Sequence, residues 1–143
     1  MILETRNQTE TFSLGEQLGS LVKPGQVITL EGDLGVGKTV MAQGIAAGLG
    51  ITEPVNSPTF TILQEYHEGR MPLYHFDVYR IEEPEEMEEV GYEDYFYGDG
   101  LCLIEWAGLI KELIPENAIS IRMEKDPEKG FDYRKIYLEG IVL

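Results

Sequence analysis

The segment from Gly32 to Thr39, which reads GDLGVGKT, has residue types and a spacing suited to phosphate chemistry. It matches the P-loop pattern Gly-x-x-x-x-Gly-Lys-Thr in full. Its glycines allow successive backbone N–H groups to converge on a phosphate with no Cβ in the way. Lys38 would reach the β- and γ-phosphates, and the Thr39 hydroxyl would bind Mg²⁺. The segment therefore predicts a site for ATP or GTP together with Mg²⁺.

Two carboxylates directly follow strand-like runs further along the chain. Glu105 comes after the apolar letters LCLI, and Asp77 comes after LYHF. P-loop sites need carboxylates at the carboxyl ends of neighbouring strands, where they hold Mg²⁺ through its waters and orient an attacking water. We expect Glu105 in the metal shell with Thr39, and Asp77 at the metal or the water. Together with Lys38 these acids are the candidate catalytic residues, and spacing leaves open which acid contacts the metal.

Several other residues admit two interpretations. Thr59, in Ser57-Pro58-Thr59, could sense the γ-phosphate as switch segments do, or simply open a strand. His75 alternates within a strand, which is more typical of a structural imidazole with satisfied hydrogen bonds than of a base. Trp106 is more typical of core packing than of a surface that responds to nucleotide. Cys102, the only cysteine, lies in an apolar run that predicts a buried thiol.

The elements that must position these residues alternate between helical and strand patterns. Leucines at helical spacing follow the hydroxyls of Thr9 and Thr11, which we expect to cap the first helix. The other strands and helices are predicted from alternating apolar residues and from the Gly and Pro residues that mark the turns between them. The predicted helices cover 9–23, 38–49, the acidic stretch 82–94 and 109–113, and the predicted strands cover 27–30, 59–66, 71–79, 101–104, 119–124 and 134–138. This order predicts one α/β domain over 1–143 of the P-loop NTPase type, with a mostly parallel central sheet, antiparallel additions and flanking helices.

The composition is that of a single globular domain with a large acidic excess. The 143 residues carry a net charge of −15, which disfavours direct binding to nucleic acid or to an anionic membrane. The acids between Glu82 and Asp94 form either a solvated helix face or a docking surface for a basic partner. No apolar run reaches the roughly 20 residues of a membrane span, and the first residues lack a signal-peptide pattern. We therefore expect a cytoplasmic protein.

Four motifs, taken in order, closely resemble those of the TsaE (YjeE) family. They are the P-loop, Ser57-Pro58-Thr59-Phe60, the string YHFDVYR that contains Asp77, and Ile104-Glu105-Trp106. That family is the ATPase component of the bacterial machinery that makes threonylcarbamoyladenosine in tRNA. The resemblance is dense from the first helix to Trp106 and thins beyond it.

The resemblance implies ATP, Mg²⁺ and protein partners. It implies that the segment from Leu34 to Thr39 binds ATP, that Thr39 and Glu105 coordinate Mg²⁺, and that Asp77 takes part in the same site. It also implies TsaB and TsaD subunits as partners, with tRNA reached only through them. By resemblance, Thr59 lies in a switch-like loop, and Thr11 and Arg134 touch the base or ribose of the nucleotide. The candidate nucleotide-binding residues are Thr11, Gly32, Asp33, Leu34, Gly35, Val36, Gly37, Lys38, Thr39, Thr59, Asp77 and Arg134.

Other classes of P-loop protein remain as alternatives. A small-molecule kinase usually needs several cationic clamps, and this chain has few arginines and no arginine-rich lid. A GTPase is disfavoured because the sequence has no Asn-Lys-x-Asp guanine-reading segment. A nucleotide-gated interaction module without useful turnover is the non-enzymatic alternative. For the ATPase we expect slow hydrolysis in isolation, since partners often complete water positioning and charge neutralisation.

Overall fold

A computed structural model describes residues 1–58 and 61–143. In chain order its elements are β1 (Ile2–Thr5), α1 (Gln8–Leu21), β2 (Val27–Glu31), α2 (Lys38–Gly48), β3 (Leu63–Tyr66), β4 (Leu73–Asp77), α3 (Glu86–Val90), α4 (Tyr92–Phe96), β5 (Leu101–Glu105), β6 (Ile119–Lys125) and β7 (Arg134–Glu139). Two 3₁₀ helices, Ala107–Leu113 and Pro127–Lys129, follow β5 and β6. Within the described ranges no helix is long and apolar enough to cross a membrane.

The strands form one mixed sheet in the order β1-β7-β6-β2-β5-β4-β3. The four central strands, β6, β2, β5 and β4, run parallel to one another. The outer strands β1, β7 and β3 are antiparallel to their neighbours. This confirms the predicted α/β fold with a parallel centre and antiparallel additions. Because the carboxyl ends of parallel strands meet at one edge, the segments that follow β2, β4 and β5 are brought together there.

The core lies on both faces of the sheet. Leu18 of α1 and Met41 of α2 pack with Leu30 and Leu103 on one face. Met87, Phe96 and other buried side chains cover the opposite face. Every residue of β5 is buried, as predicted for a central strand covered on both sides.

The predicted buried thiol of Cys102 is confirmed. The residue is fully buried in β5, and burial raises the pKa of its thiol to about 12. A thiol with so high a pKa is a poor nucleophile.

Helices α1 and α2 approach closely enough to require glycine at their contact. A Cβ added at Gly19 of α1 would overlap the carbonyl oxygen of Ile45 in α2, and one added at Gly44 would overlap that of Phe12. This close packing fixes the position of α2, and with it the loop that leads into the helix.

The helical boundaries differ from prediction in two places. Thr9 and Thr11 lie inside α1, and the cap is Asn7, whose side-chain oxygen accepts the backbone N–H of Glu10 at 2.9 Å. The acidic stretch is not one helix: α3 and α4 are separated by Gly91, whose φ of +76° places it in the left-handed region. The glycine ends α3 because a left-handed residue interrupts the helical hydrogen-bond ladder.

Two strand predictions also need correction. β1 was not predicted, and it forms the outer edge of the sheet by pairing antiparallel with β7. β3 and β4 form the expected antiparallel hairpin, but β3 begins at Leu63 instead of residue 59. Residues 59 and 60 lie outside the described part of the chain.

Candidate functional site

The P-loop connects β2 to α2 at the carboxyl edge of the sheet. Gly35 and Gly37 have φ angles of +78° and +106°, a region that residues with side chains rarely adopt. At Gly32 a Cβ would lie 2.7 Å from Cγ1 of Val36 and 2.9 Å from the carbonyl oxygen of Met123, so no side chain fits there. Gly37 directly precedes the first residue of α2. The positive end of that helix and its unpaired N–H groups therefore stand at the loop and fit a phosphate.

The P-loop lysine lies against an aromatic ring. Lys38 is buried, and its Nζ lies 4.3 Å from the ring centroid of Trp106. Trp106 has a left-handed φ of +63°, and its ring centroid is 4.8 Å from that of Tyr79. As expected, Trp106 packs against the core, but it is only half-buried and its ring also covers the lysine. The left-handed backbone of Trp106 and the contact of its ring with Lys38 therefore belong to the site itself.

The two candidate carboxylates are neighbours in the sheet. Asp77 and Glu105 are paired in the ladder between β4 and β5, and Glu105 is also paired with Leu30 near the end of β2. The positive charge of Lys38 favours the ionised form of both acids, although it is a minor cause of the pKa shift of each. The structure therefore brings all three candidate catalytic residues to one place, while their roles stay predictions.

Glu105 is a buried carboxylate with two hydrogen-bond donors. Its Oε2 accepts from Oγ of Ser57 at 2.8 Å and from Nε2 of His75 at 2.7 Å. Burial raises its pKa, but the hydrogen bonds and charge of His75, the Ser57 hydroxyl and the charge of Lys38 outweigh burial, so the pKa of Glu105 is lowered. Glu105 is therefore a buried carboxylate that is ionised at neutral pH.

His75 is fully buried beside this carboxylate, with no exposed surface. Its Nε2 bonds Glu105, but its Nδ1 is buried and has no partner among the described residues. The expected structural imidazole with satisfied hydrogen bonds is thus met at Nε2 but, among the described residues, not at Nδ1. Sequence spacing gave no sign of this pairing, because His75 and Glu105 are 30 residues apart in the chain.

Asp77 has a different environment. It is half-buried, and its Oδ1 accepts the backbone N–H of Tyr79 at 3.1 Å. Burial and the negative charge of Glu105 raise the pKa of Asp77, and they outweigh the Tyr79 hydrogen bond and the positive charges nearby. Asp77 therefore holds its proton more readily than Glu105 does.

The remaining candidate residues lie on the flank of the P-loop next to α1. Thr11 and Arg134 line one small cavity of about 70 Å³ with Gly35, Val36 and Gly37. Thr11 is buried and shares a hydrogen bond with a neighbouring threonine of β1, and the Arg134 guanidinium donates to the carbonyl of Val36. The cavity is thus next to the loop, as a site for part of the nucleotide requires. Thr59 lies outside the described residues.

A larger cleft also lies along the P-loop. Its volume is about 700 Å³, and its lining includes Asp33, Leu34, Trp106 and Lys125. The ammonium of Lys125 lies 3.7 Å from the position that a Gly35 Cβ would take. The sequence did not single out Lys125, because it closes β6 far from the P-loop in the chain.

The oxygen atoms at this edge fit Mg²⁺ bound with a nucleotide. No cluster of three or more His, Cys, Asp or Glu side chains suited to a metal occurs in the described part of the chain. Mg²⁺ usually keeps several waters and takes one or two carboxylates together with substrate phosphates. Thr39 is exposed at the start of α2, and the carboxylates of Glu105 and Asp77 stand at neighbouring strand ends. These residues suit a metal held jointly with phosphates.

Comparison with known proteins places this arrangement in a family. The family model for threonylcarbamoyl adenosine biosynthesis protein TsaE matches residues 5–136. The chain belongs to the TsaE family. This confirms the resemblance found in the four sequence motifs.

Two relatives and one solved structure are consistent with TsaE membership. The chain is 50% identical to the tRNA threonylcarbamoyladenosine biosynthesis protein TsaE of Bacillus subtilis, over 96% of this chain and 84% of that protein. It is 41% identical to the protein of the same name from Treponema pallidum, over 83% of this chain and 87% of that protein. The crystal structure of Bacillus subtilis YdiB superposes with a TM-score of 0.80 at 43% identity, covering 95% of this chain and 82% of that one. The TsaE fold therefore extends over nearly the whole chain.

Proposed function

We propose that this TsaE-family protein is a Mg²⁺-dependent ATPase that acts in the biosynthesis of threonylcarbamoyladenosine in tRNA. The observation that carries the proposal is the buried, negatively charged Glu105 at the end of β5, beside Lys38 and the P-loop. Nucleotide binding follows from family membership and the loop geometry, whereas hydrolysis, the metal and the partners belong to the proposal. A cytoplasmic location is part of it, because tRNA is the molecule modified.

Each residue of the site has a role in this proposal. The P-loop N–H groups and Lys38 hold the phosphates, while Thr39 and Glu105 hold Mg²⁺. The metal, when bound, neutralises charge that develops on the phosphates. Asp77, with its raised pKa, stands where it can contact a metal-bound water or orient the attacking water.

Three of the five arginines are engaged in contacts within the protein, which supports slow hydrolysis by the isolated chain. Arg70 donates to backbone carbonyls of α1 and its cap, and Arg134 donates to Val36 and Phe131. Arg122 is paired with Glu124. Transition-state charge in P-loop enzymes is often stabilised by a further cation that a partner supplies. We therefore propose that TsaB- and TsaD-type subunits complete the site.

The net charge supports an indirect contact with tRNA. A surface with a net charge of −15 repels a polyanion. The protein is therefore better suited to act through ATP hydrolysis on partner subunits that bind the tRNA than to bind the tRNA itself.

A reconstituted reaction with TsaB, TsaD, tRNA and ATP tests this function. We expect the wild-type protein to support repeated rounds of tRNA modification, with phosphate release stimulated by the partners. Lys38→Ala should lower phosphate release about 100-fold because it removes the phosphate-binding cation. Lys111→Ala is the matched control, since Lys111 is exposed on the 3₁₀ helix after β5, and it should keep wild-type activity.

The outcomes separate the proposal from its alternatives. Phosphate that appears on an added metabolite would instead support a small-molecule kinase. Nucleotide binding with no partner-stimulated phosphate release would support a nucleotide-gated interaction module. Failure of the wild-type protein to sustain repeated modification would contradict the proposed function.

A further inference from the structure

We infer that His75 is a positioning residue that holds the Glu105 carboxylate in the orientation needed to bind Mg²⁺. The inference rests on the proposed function, because it takes Glu105 to be the metal carboxylate. It concerns a residue that the sequence had indicated as merely structural.

The position of His75 in the sheet allows this role. His75 is paired with Leu103 in the ladder between β4 and β5, two positions before the pair of Asp77 and Glu105 and therefore on the same face. From there its Nε2 reaches Oε2 of Glu105 at 2.7 Å, with both side chains buried. The imidazole therefore lies underneath the carboxylate, on the side of the core.

The hydrogen bond fixes which nitrogen carries the proton. An ionised carboxylate can only accept, so Nε2 of His75 must donate. Nδ1 is buried without a partner among the described residues, and a proton on it would leave a buried donor unsatisfied. The contact with Glu105 therefore requires a proton on Nε2 of His75.

Packing alone does not explain a histidine at this position. The neighbouring core side chains on this face, such as Leu73 and Leu103, are apolar and fully buried. A buried nitrogen without a hydrogen-bond partner is destabilising, and an apolar side chain would fill the same space without this cost. What the imidazole adds is its hydrogen bond to Glu105.

The two donors to Glu105 act on the same oxygen. Ser57 and His75 both bond Oε2, and no hydrogen bond from a described residue ends at Oε1. Two donors on one oxygen restrict rotation of the carboxylate and leave Oε1 for a metal. Ser57 lies in the loop after α2, whereas His75 belongs to a core strand, so His75 is the partner whose position the sheet fixes.

The first test compares the Mg²⁺ dependence of ATP binding in wild-type protein, His75→Leu and His75→Gln. In His75→Leu, the Mg²⁺ concentration that gives half of the Mg²⁺-dependent gain in ATP binding should rise about tenfold or more. Its ATP affinity in EDTA should stay within about twofold of wild type, because the P-loop is unchanged. His75→Gln should restore most of the Mg²⁺ dependence, since its amide N–H can replace Nε2–H.

The matched control is His67→Gln, which changes the other of the two histidines in the chain. His67 lies in an exposed turn. It should match wild type in every binding measurement. Wild-type Mg²⁺ dependence in His75→Leu would overturn the inference, as would a folded His75→Gln variant that behaves like His75→Leu. Wild-type protein that binds ATP without any enhancement by Mg²⁺ would overturn the proposed function itself, and the inference with it.

The second test is spectroscopic and needs neither nucleotide nor metal. The chain has two histidines, so the ¹⁵N imidazole spectrum contains two rings, and His67→Gln assigns them. We expect Nε2 of His75 to carry a proton that is hydrogen-bonded to Glu105, and the signature of this hydrogen bond should be lost in Glu105→Ala. A proton on Nδ1 with Nε2 bare would overturn the inference even if the His75→Leu variant does not fold.

Discussion

Asp77 at the end of β4 and Glu105 at the end of β5 are paired in the sheet, yet their pKa values are shifted in opposite directions. Burial raises the pKa of Asp77, and its main compensating contact is one backbone N–H. Burial also opposes ionisation of Glu105, which is the more deeply buried of the two, yet the donors His75 and Ser57 lower its pKa overall. Hydrogen-bond partners, more than depth of burial, therefore decide the direction in which the pKa of each acid shifts.

The difference suits a division of labour at the phosphate site. A carboxylate that stays ionised is a suitable metal ligand. One whose pKa is raised holds its proton to a higher pH than an ordinary aspartate does, and it suits contact with water. The predictions below change one strand end at a time.

The largest effect is expected at the end of β5. Glu105→Gln removes the negative charge from the proposed metal ligand, and phosphate release should fall about 100-fold or more. Glu112→Gln, an exposed change on the neighbouring 3₁₀ helix, is the control. Steady-state phosphate release at saturating Mg²⁺ measures both, and near-normal turnover in Glu105→Gln would remove Glu105 from the metal shell.

A smaller effect is expected at the end of β4. Asp77→Asn keeps the size of the side chain and loses its ability to carry charge or a proton. We expect turnover to fall about tenfold, with ATP affinity nearly unchanged, because the P-loop stays intact. The same phosphate-release assay, with ATP affinity measured in parallel, checks this. A loss equal to that of Glu105→Gln would mean that the two acids act as one unit.

Ser57→Ala should have a still smaller effect. It removes one of the two donors to Oε2 of Glu105 and leaves His75 in place. A single hydrogen bond of this kind corresponds to about 1 kcal/mol, so we expect the Mg²⁺ dependence of turnover to weaken by about threefold to tenfold. Ser13→Ala, an exposed serine of α1, is the control. A complete loss of activity would show that the serine acts directly in the reaction.

The smallest effects are expected in the pH dependence of stability, and they have opposite signs. The raised pKa of Asp77 means that its contribution to stability is present below the ordinary pKa of an aspartate and is lost as the pH rises through its native pKa. Asp77→Asn should therefore gain stability relative to wild type as the pH rises, by about 2–4 °C in Tm.

For Glu105 the sign is reversed. Its lowered pKa stabilises the fold above the ordinary pKa of a glutamate, and this contribution is lost as the pH falls through its native pKa. Glu105→Gln should be less stable than wild type at neutral pH, and the gap should close in acid. Thermal unfolding in EDTA without nucleotide measures both variants, and parallel curves for the two would contradict the comparison.

The parts of the fold that were predictable are those encoded by local patterns. The pattern from Gly32 to Thr39 predicts a phosphate-binding turn between a strand and a helix, because the backbone geometry of that turn requires glycine at fixed positions. The short apolar run of β5 predicted a doubly covered strand, and Glu105 was then placed by its position after that strand. These inferences needed no contact between distant residues.

The parts that were missed depend on contacts between residues far apart in the chain. β1 forms because Ile2–Thr5 pairs with the last strand, and four residues at an edge give too short a pattern to recognise. His75 meets Glu105 only through the parallel pairing of β4 with β5. Gly91 interrupts the acidic stretch, and an isolated glycine within a helical pattern does not by itself distinguish a cap from a tolerated residue.

The most direct test of the account is ATP binding measured with and without Mg²⁺ in wild type, Asp77→Asn and Glu105→Gln. Calorimetric titration of each protein gives the affinities. The account predicts that Mg²⁺ strengthens binding about tenfold or more in wild type and in Asp77→Asn, and that this enhancement is lost in Glu105→Gln. A Glu105→Gln variant that keeps the full Mg²⁺ enhancement, or a wild-type protein that binds no ATP, would contradict it.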